Sequence, residues 1–306
     1  MDNPFSAPGG WLRCALHAHT TNSDGEMSPT LLARHYEDAG FDVLVITDHW
    51  VRTVEPSTAR LLVIPGTELD ASMGAPGREA HVLGLGVAAD PVEPGVEFPG
   101  LAETVGWIQQ AGGVPYLAHP YWSGLRVHEF AGCGGLFGLE VYNAGCEIEV
   151  GRGLSAVHWD DVLEADGRAW FAIATDDSHH PGTDSSLAWT WVRAEERSPE
   201  AVLGALRAGS FYGSTGPAIE GLVVEDGAVE IRTSPARSLT LMTGRTRGAS
   251  VNAGERGYCY RGEILERSPE GQITAARLVA PRQAPYGRIE VADSNGGKAW
   301  TNPLWI

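Results

Sequence analysis

Metal-binding residue types recur through the first two-thirds of the sequence. The segment LHAHTTNSDG, at residues 16–25, contains two histidines one residue apart and an aspartate five residues further on. Imidazole and carboxylate side chains, with no cysteine among them, suit divalent ions such as Zn²⁺, Mn²⁺ and Fe²⁺. The candidate ligands are His17, His19, Asp24, His49, Glu68, His81, His119, Asp177 and His179.

Most of these residues lie at the end of an apolar segment that predicts a strand. His17 and His19 end WLRCALHAH, His49 ends FDVLVITDH, and His119 ends VPYLAH. His81 is the exception, because it lies near the start of EAHVLGLGV. In a parallel α/β barrel the carboxyl ends of the strands form one rim, where active sites are built. We therefore expect these distant positions to meet in one cleft.

The size of this set predicts a multinuclear centre. One ion takes three or four protein ligands, so nine ligands predict two or three divalent ions, which we expect to be Mn, Fe or Zn. Clustered ions lower the pKa of a bridging water and stabilise both the attacking and the leaving oxygen, which favours hydrolysis over redox chemistry. Each histidine alone is better explained by packing or hydrogen bonding. The coincidence of six histidines and three acids outweighs that explanation.

The elements that position these residues alternate between strand and helix. SPTLLARHYEDAG predicts a helix with Ser28 as its N-cap, Pro29 as its first residue and Gly40 after its end. LAETVGWIQQAGG predicts an amphipathic helix, and FDVLVITDH has the continuous apolar pattern of a buried parallel strand. This alternation predicts an α/β fold whose sheet closes, or nearly closes, into a barrel.

The pattern changes after residue 213. GLVVEDGAVEIRTS predicts two strands joined by a turn at Asp226 and Gly227, and more short strand-like segments follow. We therefore predict a barrel domain over residues 1–213, including a connecting helix at 198–210, and a small all-β sandwich over residues 214–306. The second domain has no dense cluster of His, Asp and Glu, so no chemistry is assigned to it.

Composition limits the classes of partner. The formal net charge of −17 argues against a basic face that binds nucleic acid or a membrane surface. The sequence has no apolar segment of membrane-spanning length and no secretory signal at its start. Cys14, Cys133, Cys146 and Cys259 are scattered, which predicts buried, reduced thiols. We expect a cytoplasmic protein that acts on a small-molecule ester; self-association is left open.

Five motifs, HAHTTNSDG, ITDH, GTE, AHP and DSH, occur in an order that resembles the PHP (polymerase and histidinol phosphatase) superfamily of metal-dependent hydrolases. WTWVRAEE, ALRAGSFYGSTGP and AWTNPLW are similar to its CehA/McbA-like branch, which extends the resemblance over nearly the whole chain. The resemblance implies a distorted (β/α)7 PHP barrel, followed here by the β-sandwich domain. It also selects Asp177 over Asp176 through the D-x-H pattern, and Asp176 becomes a candidate for orienting a ligand imidazole.

The resemblance also divides the candidate ligands among three ions. The implied groups are His17, His19, Glu68 and Asp177 for the first ion, Glu68, His81 and His119 for the second, and Asp24, His49 and His179 for the third.

Three functions agree with these residues. The first is a phosphoesterase, in which a metal-bridging hydroxide near Glu68 attacks phosphorus and Asp48 or a metal-bound water protonates the leaving group. In the second, the same metal centre hydrolyses a carbamate or carboxylic ester, and Trp122, Trp159 and Phe137 are candidate pocket residues. The third is a non-catalytic metal-binding module, which the complete ligand set disfavours.

Particular roles follow for a few further residues. Glu68, Asp48 and His179 are the candidate catalytic residues. The candidate substrate-binding residues are Arg126, Asn143, Arg152 and His180, with ordinary surface salt bridges as the alternative for the two arginines. The remaining histidines, His35, His128 and His158, are expected to have structural roles.

Overall fold

The structure, a computed structural model, describes residues 3–75, 77–92, 99–165, 167–254, 257–284 and 286–305. The described strands form one sheet of 14 strands and a second sheet of 4 strands. Six α-helices and a short 3₁₀ helix at Pro4–Ser6 accompany them in the described ranges. None of the helices in these ranges has both the length and the apolar character needed to cross a membrane.

The N-terminal part alternates strands and helices. Its elements are β1 (Gly10–Ala15), α1 (Pro29–Asp38), β2 (Val43–Ile46), β3 (Leu62–Ala75), β4 (Arg78–Leu85), α2 (Leu101–Gln110), β5 (Val114–Leu117), α3 (Val127–Phe130), β6 (Gly138–Asn143), α4 (Ala144–Val150), α5 (Ala156–Ala165), β7 (Phe171–Thr175), β8 (Trp189–Ala194), α6 (Pro199–Ala208) and β9 (Phe211–Ser214).

The C-terminal part consists of strands. They are β10 (Ile219–Glu225), β11 (Ala228–Ala236), β12 (Ser238–Met242), β13 (Gly248–Asn252), β14 (Cys259–Tyr260), β15 (Gly262–Arg267), β16 (Ile273–Val279), β17 (Arg288–Ala292) and β18 (Lys298–Thr301).

Strands β1 to β7 are consecutive neighbours in the larger sheet. The steps from β1 to β3 and from β5 to β7 are parallel, whereas β4 is antiparallel to both of its neighbours. The predicted mixed α/β class is therefore confirmed, but its sheet is not parallel throughout. The first and last strands of this series approach each other just beyond their ends: His19 N donates to Ser178 O (2.9 Å), and Asp177 N donates to His17 O (3.0 Å).

The larger sheet continues from the N-terminal into the C-terminal part. Strand β9 pairs with β18, with Gly213 opposite Trp300, and the sheet then runs through β17, β12, β13 and β14. The smaller sheet, in the order β10-β11-β16-β15, contributes to a separate apolar core that includes Ile231, Leu239 and Val291. The turn predicted at Asp226 and Gly227 is confirmed, because Glu225 pairs with Ala228. The domain boundary at residue 213 stays a prediction.

Local sequence signals determine where the helices begin and end. Helix α1 begins at Pro29, and the Ser28 hydroxyl accepts a hydrogen bond from Leu31 N (3.4 Å), as the N-cap pattern predicts. In the segment predicted as the connecting helix, α6 is capped by Ser198 and ends at Gly209, whose φ of 75° is left-handed.

All four cysteines are free. Cys14 and Cys146 are buried and Cys133 is half-buried, but Cys259 is exposed. The prediction of burial is wrong for Cys259, because β14 lies at the edge of the larger sheet and both of its residues face solvent.

Candidate metal centre

The ends of the strands bring most of the candidate ligands to one edge of the sheet. His17 and His19 follow β1, His49 follows β2, His119 follows β5, and Asp177 and His179 follow β7. The carboxyl-terminal strand ends of the N-terminal part thus carry the imidazoles, as expected for active sites of α/β folds.

The antiparallel direction of β4 explains why His81 lies near the start of its strand. The start of β4 lies beside the second half of β3, where His81 pairs with Asp70. The segment LLVIPGTE predicts a strand that ends at Glu68, but β3 continues to Ala75, so Glu68 lies within the strand. A bridge between His49 and Glu68 nevertheless places this carboxylate beside the end of β2.

The first ligand group has its lone pairs directed at one point. His17 Nδ1 lies 2.7 Å from Glu140 Oε1, which places the ring proton there and leaves Nε2 as an acceptor. That Nε2 lies 2.9 Å from Glu68 Oε2, 3.0 Å from Asp177 Oδ1 and 3.1 Å from His19 Nε2. Converging lone pairs repel one another unless a cation lies between them. The donor set therefore fits a divalent ion.

Glu68 also belongs to a second group. Its Oε1 lies 3.0 Å from His81 Nδ1 and 3.2 Å from His119 Nε2, while its Oε2 faces the first group. Glu68 is almost completely buried, with 1% of its surface exposed. One carboxylate thus faces two imidazole groups, which is the arrangement that the resemblance implies for a bridging ligand.

A third group lies at the mouth of the cleft. Asp24 lies 3.4 Å from His19 Nδ1, 3.4 Å from His179 Nε2 and 3.8 Å from His49 Nε2. The Asp24 side chain is 54% exposed, so this group is more open than the other two. His19 joins the three predicted residues here, because its second ring nitrogen faces Asp24.

In the metal-free chain, carboxylates and imidazoles control each other's pKa. Burial lowers the pKa of His19, but the hydrogen bonds and charges of Asp177 and Glu68 outweigh burial and raise it to about 9. Burial raises the pKa of Glu68, but the charges of His17 and His49 hold it well below its usual range. The carboxylates therefore favour positive charge between these side chains, which divalent ions can supply.

Two candidate ligands have backbone conformations that favour glycine. The φ angles of His119 and Asp177 are 24° and 55°. Such conformations cost on the order of 1–3 kcal/mol each and persist where the surroundings fix them. Here His119 N donates to Glu140 Oε2 (2.8 Å) and Asp177 N donates to His17 O (3.0 Å). Strain at two positions of one cleft supports a functional role for it.

Comparison with known proteins identifies the fold. Neither a protein-family model nor a curated protein sequence matches the chain. The chain is similar to the crystal structure of a two-domain protein from Bacteroides vulgatus that contains a predicted PHP-like metal-dependent phosphoesterase. The TM-score is 0.54 and the identity 18%, over 99% of each chain. This chain has a PHP-like fold.

Two further solved structures each match about half of the chain. One is a candidate metal-dependent phosphoesterase from Bifidobacterium adolescentis, with 16% identity and a TM-score of 0.41 over 55% of this chain and 88% of that one. The other is an amidohydrolase from Chromobacterium violaceum with bound sulfate and no metal. Its identity is 19% and its TM-score 0.38, over 56% of this chain and 89% of that one.

Within the PHP-like fold, the buried side chains of Glu140 and Asn143 orient the candidate ligands His17, His119 and Asp177. Glu140 is fully buried, and its carboxylate contacts His17 Nδ1, Thr175 Oγ1 (2.6 Å) and His119 N. Asn143 Nδ2 donates to Glu140 Oε2 (2.8 Å) and to Asp177 Oδ2 (3.0 Å). Asn143, predicted to bind substrate, is fully buried at the start of α4, which suits holding Asp177 rather than touching a ligand.

Asp48 stabilises the loop that carries Asp24. Its carboxylate accepts hydrogen bonds from Thr20 N (2.6 Å), Thr20 Oγ1 (2.7 Å), Ser23 Oγ (2.8 Å) and the Thr53 hydroxyl. Asp48 is fully buried and does not line the cleft. The predicted role of proton donor to a leaving group does not fit this position.

Asp176 and Asp184 hold the segment that carries His179. Asp176 accepts hydrogen bonds from Tyr36 OH (2.9 Å) and from three backbone N–H groups at 186–188. It contacts no ligand imidazole, so the suggested orienting role is wrong. Asp184 accepts from Ser178 Oγ (2.7 Å) and His179 N (2.9 Å). Burial raises the pKa of Asp176 to about 6, against the lowering effect of those backbone N–H groups.

Asp70 was missed in the sequence, although it lies two positions after Glu68 and so faces the same side of β3. Its Oδ1 lies 3.1 Å from His81 Nε2, and its Oδ2 accepts from Trp50 Nε1 at 2.7 Å. This contact fixes the ring of His81 with Nδ1 towards Glu68.

Cys146 was excluded from the predicted ligands. Its thiol lies 3.9 Å from Asp177 Oδ2. Ligand atoms of Cys146, Asp177 and His119 all lie within 4.8 Å of one another. Only folding of α4 onto the end of β7 brings this cysteine to the cleft.

The groups open into a cleft of about 650 Å³. Of the predicted substrate-binding residues, His180 lines it, whereas Arg126 and Arg152 do not. Arg126 precedes α3, and the Arg152 guanidinium lies over the Tyr121 ring at 5.7 Å. Among the predicted aromatic residues, Trp122 lines the cleft, while Trp159 and Phe137 pack in the core.

Two of the three histidines expected to be structural have local partners. His35 Nε2 lies 2.7 Å from Ser185 Oγ, and His158 Nε2 lies 3.0 Å from Leu125 O. His128 lies in α3 and does not line the cleft.

Proposed function

We propose that this chain is a multinuclear metal-dependent hydrolase that acts as a phosphoesterase on a small phosphate ester. The observation that carries the proposal is Glu68, whose two oxygens face two different groups of imidazoles. One ion would be held by His17, His19, Glu68 and Asp177. A second would be held by Glu68, His81 and His119, and a third by Asp24, His49 and His179. Bound divalent ions would supply Lewis acidity towards the ester and lower the pKa of water.

The chain's own residues prepare the cleft for this chemistry. Glu140 fixes the proton of His17 at Nδ1, and Asp70 fixes the ring of His81, so both present a lone pair towards Glu68. The His179 side chain is 27% exposed at the mouth, where substrate enters. Because Asp48 is buried, we assign protonation of the leaving group to solvent in the open cleft.

One observation favours a second candidate, hydrolysis of a carbamate or carboxylic ester. No Lys or Arg occurs among the described residues that line the cleft, so nothing but the histidines and the ions would offset the charge of a phosphate. Trp122 and Ile148 supply apolar surface that suits an uncharged ester.

The finer features of the fold are part of this proposal. We infer that β1–β7 form the distorted seven-stranded barrel, supported by the hydrogen bonds between the segments that follow β1 and β7. The four-stranded sheet would pack on β12, β13 and β17 as the sandwich domain of residues 214–306, supported by their shared apolar core. Mn, Fe or Zn as the ion, and the CehA/McbA-like branch, are proposed from the ligand types and the sequence motifs.

A parallel screen tests the reaction class. The purified protein, loaded separately with Mn²⁺, Fe²⁺ or Zn²⁺, is assayed on p-nitrophenyl phosphate, bis-p-nitrophenyl phosphate, p-nitrophenyl acetate and a naphthyl carbamate. We expect one of the phosphate esters to be hydrolysed fastest. Hydrolysis of the acetate or carbamate with both phosphates intact would overturn the phosphoesterase assignment and favour the second candidate.

The His17→Ala variant tests the ligand assignment separately. We expect it to lose turnover and part of its bound metal, measured by elemental analysis, while its circular dichroism spectrum remains that of the parent. Unchanged metal content would refute the assignment of His17 as a ligand.

A further inference from the structure

A second pocket has walls from both the N-terminal and the C-terminal part of the chain. Its volume is about 490 Å³, which is within the range of small-molecule sites. No described residue lines both this pocket and the cleft of the metal centre. The end of α5, the turn between β12 and β13 and the C-terminal end of the chain build it, through Leu163, Glu164, Thr243, Arg245, Tyr286 and Trp305 among others.

The charge of the second pocket is opposite to that of the chain. The chain has 22 Lys and Arg against 39 Asp and Glu. Nevertheless, Arg168, Arg245 and Arg247 line this pocket, and Glu164 is the one acid among its described lining residues. The cleft of the metal centre has the reverse composition, with acids and no Lys or Arg among the described residues that line it. Neighbouring positive charges repel one another, so an anion bound beside them is stabilised.

The three arginines differ in their partners. The Arg168 guanidinium donates to Ala131 O (2.8 Å) and lies over the Trp170 ring at 4.9 Å, so its charge is fixed in place. Arg245 and Arg247 are exposed, and within the described part of the chain neither guanidinium forms a hydrogen bond or an ion pair. Two guanidinium groups are therefore available to a ligand that accepts hydrogen bonds.

The turn between β12 and β13 is tied to α5. The backbone N–H of Arg245 donates to the Glu164 carboxylate, and Arg247 N donates to Gly244 O (3.3 Å). Arg245 has a φ of 52°, a conformation that a residue other than glycine keeps only where its surroundings fix it, and that is common at functional sites. The two parts of the chain are thus joined at the edge of the second pocket.

Two buried hydroxyl groups of the second pocket lack hydrogen-bond partners among the described residues. They are Tyr286 Oη and Thr243 Oγ1, on side chains that are 4% and 0% exposed. A Cβ at Gly244 would lie 3.5 Å from Tyr286 Oη, which places this hydroxyl beside the turn. Burial, with the charges of Asp160 and Glu164, raises the pKa of Tyr286 to about 12, so the hydroxyl remains a donor at neutral pH. Buried polar groups are nearly always hydrogen-bonded, so two unpaired hydroxyls in one pocket indicate a ligand.

We propose that the second pocket binds a small organic acid in its anionic form, with a flat apolar body attached to a carboxylate. The carboxylate would accept hydrogen bonds from Tyr286 and Thr243 beside the charges of Arg245 and Arg247. The indole of Trp305, which is 42% exposed, would pack against the body. The ligand would bind to both parts of the chain at once.

Three probes separate the contributions of charge and shape. 2-Naphthoate has the carboxylate and the flat body, 2-naphthamide has the body without the charge, and acetate has the charge without the body. Each is titrated by calorimetry into the Zn²⁺-loaded full-length protein. We expect saturable binding of one 2-naphthoate per chain, and an affinity at least tenfold lower for each of the other two probes. Equal affinity for 2-naphthamide, or no binding of 2-naphthoate, would overturn the proposal.

Variants assign the binding to the second pocket. Arg247→Ala and Tyr286→Phe should each weaken 2-naphthoate binding about tenfold, as expected for the loss of a hydrogen bond to a charged group. The matched controls are Arg237→Ala and Tyr260→Phe, which alter exposed residues outside the pocket and should leave the affinity unchanged. Trp122→Leu, in the cleft of the metal centre, should also leave it unchanged. Loss of binding in the Trp122 variant with full binding in the two pocket variants would overturn the proposal.

Stability distinguishes a ligand-binding hydroxyl from a structural one. Tyr286→Phe removes a hydroxyl without a partner, so the free energy of unfolding of the unliganded protein should be unchanged or slightly higher. 2-Naphthoate should raise the melting temperature of the parent and do so much less for this variant. A destabilised variant with an unchanged response to 2-naphthoate would show that the hydroxyl serves the fold and would contradict its role in binding. None of these measurements involves hydrolysis, so their outcome is independent of the proposed function.

Discussion

Charged side chains are buried together at the cleft, whereas those of the C-terminal sheets mostly face solvent in pairs. Glu68 and Asp177 are at least nine-tenths buried among imidazoles. Arg232 and Glu266, on β11 and β15, form a bidentate pair at 2.7 Å in which both side chains are at least half exposed. Burying charge costs free energy unless it is compensated, so a fold that buries several charges in one place retains them for function. The C-terminal charges need no such explanation.

Replacing Glu68 is the strongest test of this contrast. Glu68→Gln preserves shape but removes the charge shared by two ligand groups, so we expect kcat/KM to fall by about 10³-fold or more. Metal binds the folded state, so added Mn²⁺ or Zn²⁺ should raise the melting temperature of the parent and do so much less for the variant. The matched control is Glu266→Gln. A variant at Glu68 that keeps full metal content would show that the two regions do not differ in this way.

Arg288 is the exception to the contrast, because it is buried in the C-terminal part. The guanidinium is 1% exposed and forms two hydrogen bonds with Asp160 of α5, at 2.6 and 2.7 Å. Asp160→Ala would leave this buried cation unpaired, and we expect a loss of about 3 kcal/mol in the free energy of unfolding.

Arg288→Met should cost less than Asp160→Ala, because Asp160 is 40% exposed and can be hydrated. Metal content should not change in either variant. Urea denaturation with elemental analysis measures both quantities. Equal losses in the two variants would contradict the asymmetry, and loss of metal would show that the two regions are energetically linked.

Sequence patterns predicted the candidate ligands and the helix ends well, because both depend on local chemistry. Ser28 and Pro29 begin a helix because a hydroxyl satisfies the N–H of Leu31, and no distant residue is needed for that. The nine candidate ligands were found in the same way, since imidazoles and carboxylates are unusual after apolar strands. The resemblance then divided them into groups that the structure brings together.

Sequence patterns failed where a role depends on the direction of a strand or the depth of a side chain. An apolar segment such as EAHVLGLGV does not reveal that β4 runs antiparallel, so the place of His81 looked anomalous. Asp48 was predicted to protonate the leaving group because it adjoins His49, and Asn143 was predicted to bind substrate at the rim, yet both are fully buried. Cys146 was missed because α4 had to fold onto the end of β7 before its thiol approached Asp177.

Asp70→Asn would sharpen the contrast within the cleft itself. An amide NH₂ facing His81 Nε2 would donate to it and move the ring proton to Nδ1, the atom that faces Glu68. We expect affinity for one ion to fall about ten- to hundredfold, the range found when residues that orient ligands are replaced. Competition with a chelator measures this affinity. Asp90→Asn, at an exposed pair with Arg52, is the control, and equal affinities in both variants would exclude a positioning role for Asp70.

The smallest expected effect lies outside the cleft, at the turn between β10 and β11. Asp226 and Gly227 have φ angles of 50° and 72°, the left-handed pair of a type I′ hairpin turn. An added Cβ at Gly227 would meet nothing within 4 Å, so Gly227→Ala should cost only the conformational penalty, about 1 kcal/mol. Gly221→Ala on the same hairpin also has free space but no positive φ, so it should be neutral or slightly stabilising. Thermal unfolding of both variants measures the difference. Metal content should not change, because the turn contributes no charged group to the cleft. If the Gly227 variant lost metal, the hairpin would have to support the site.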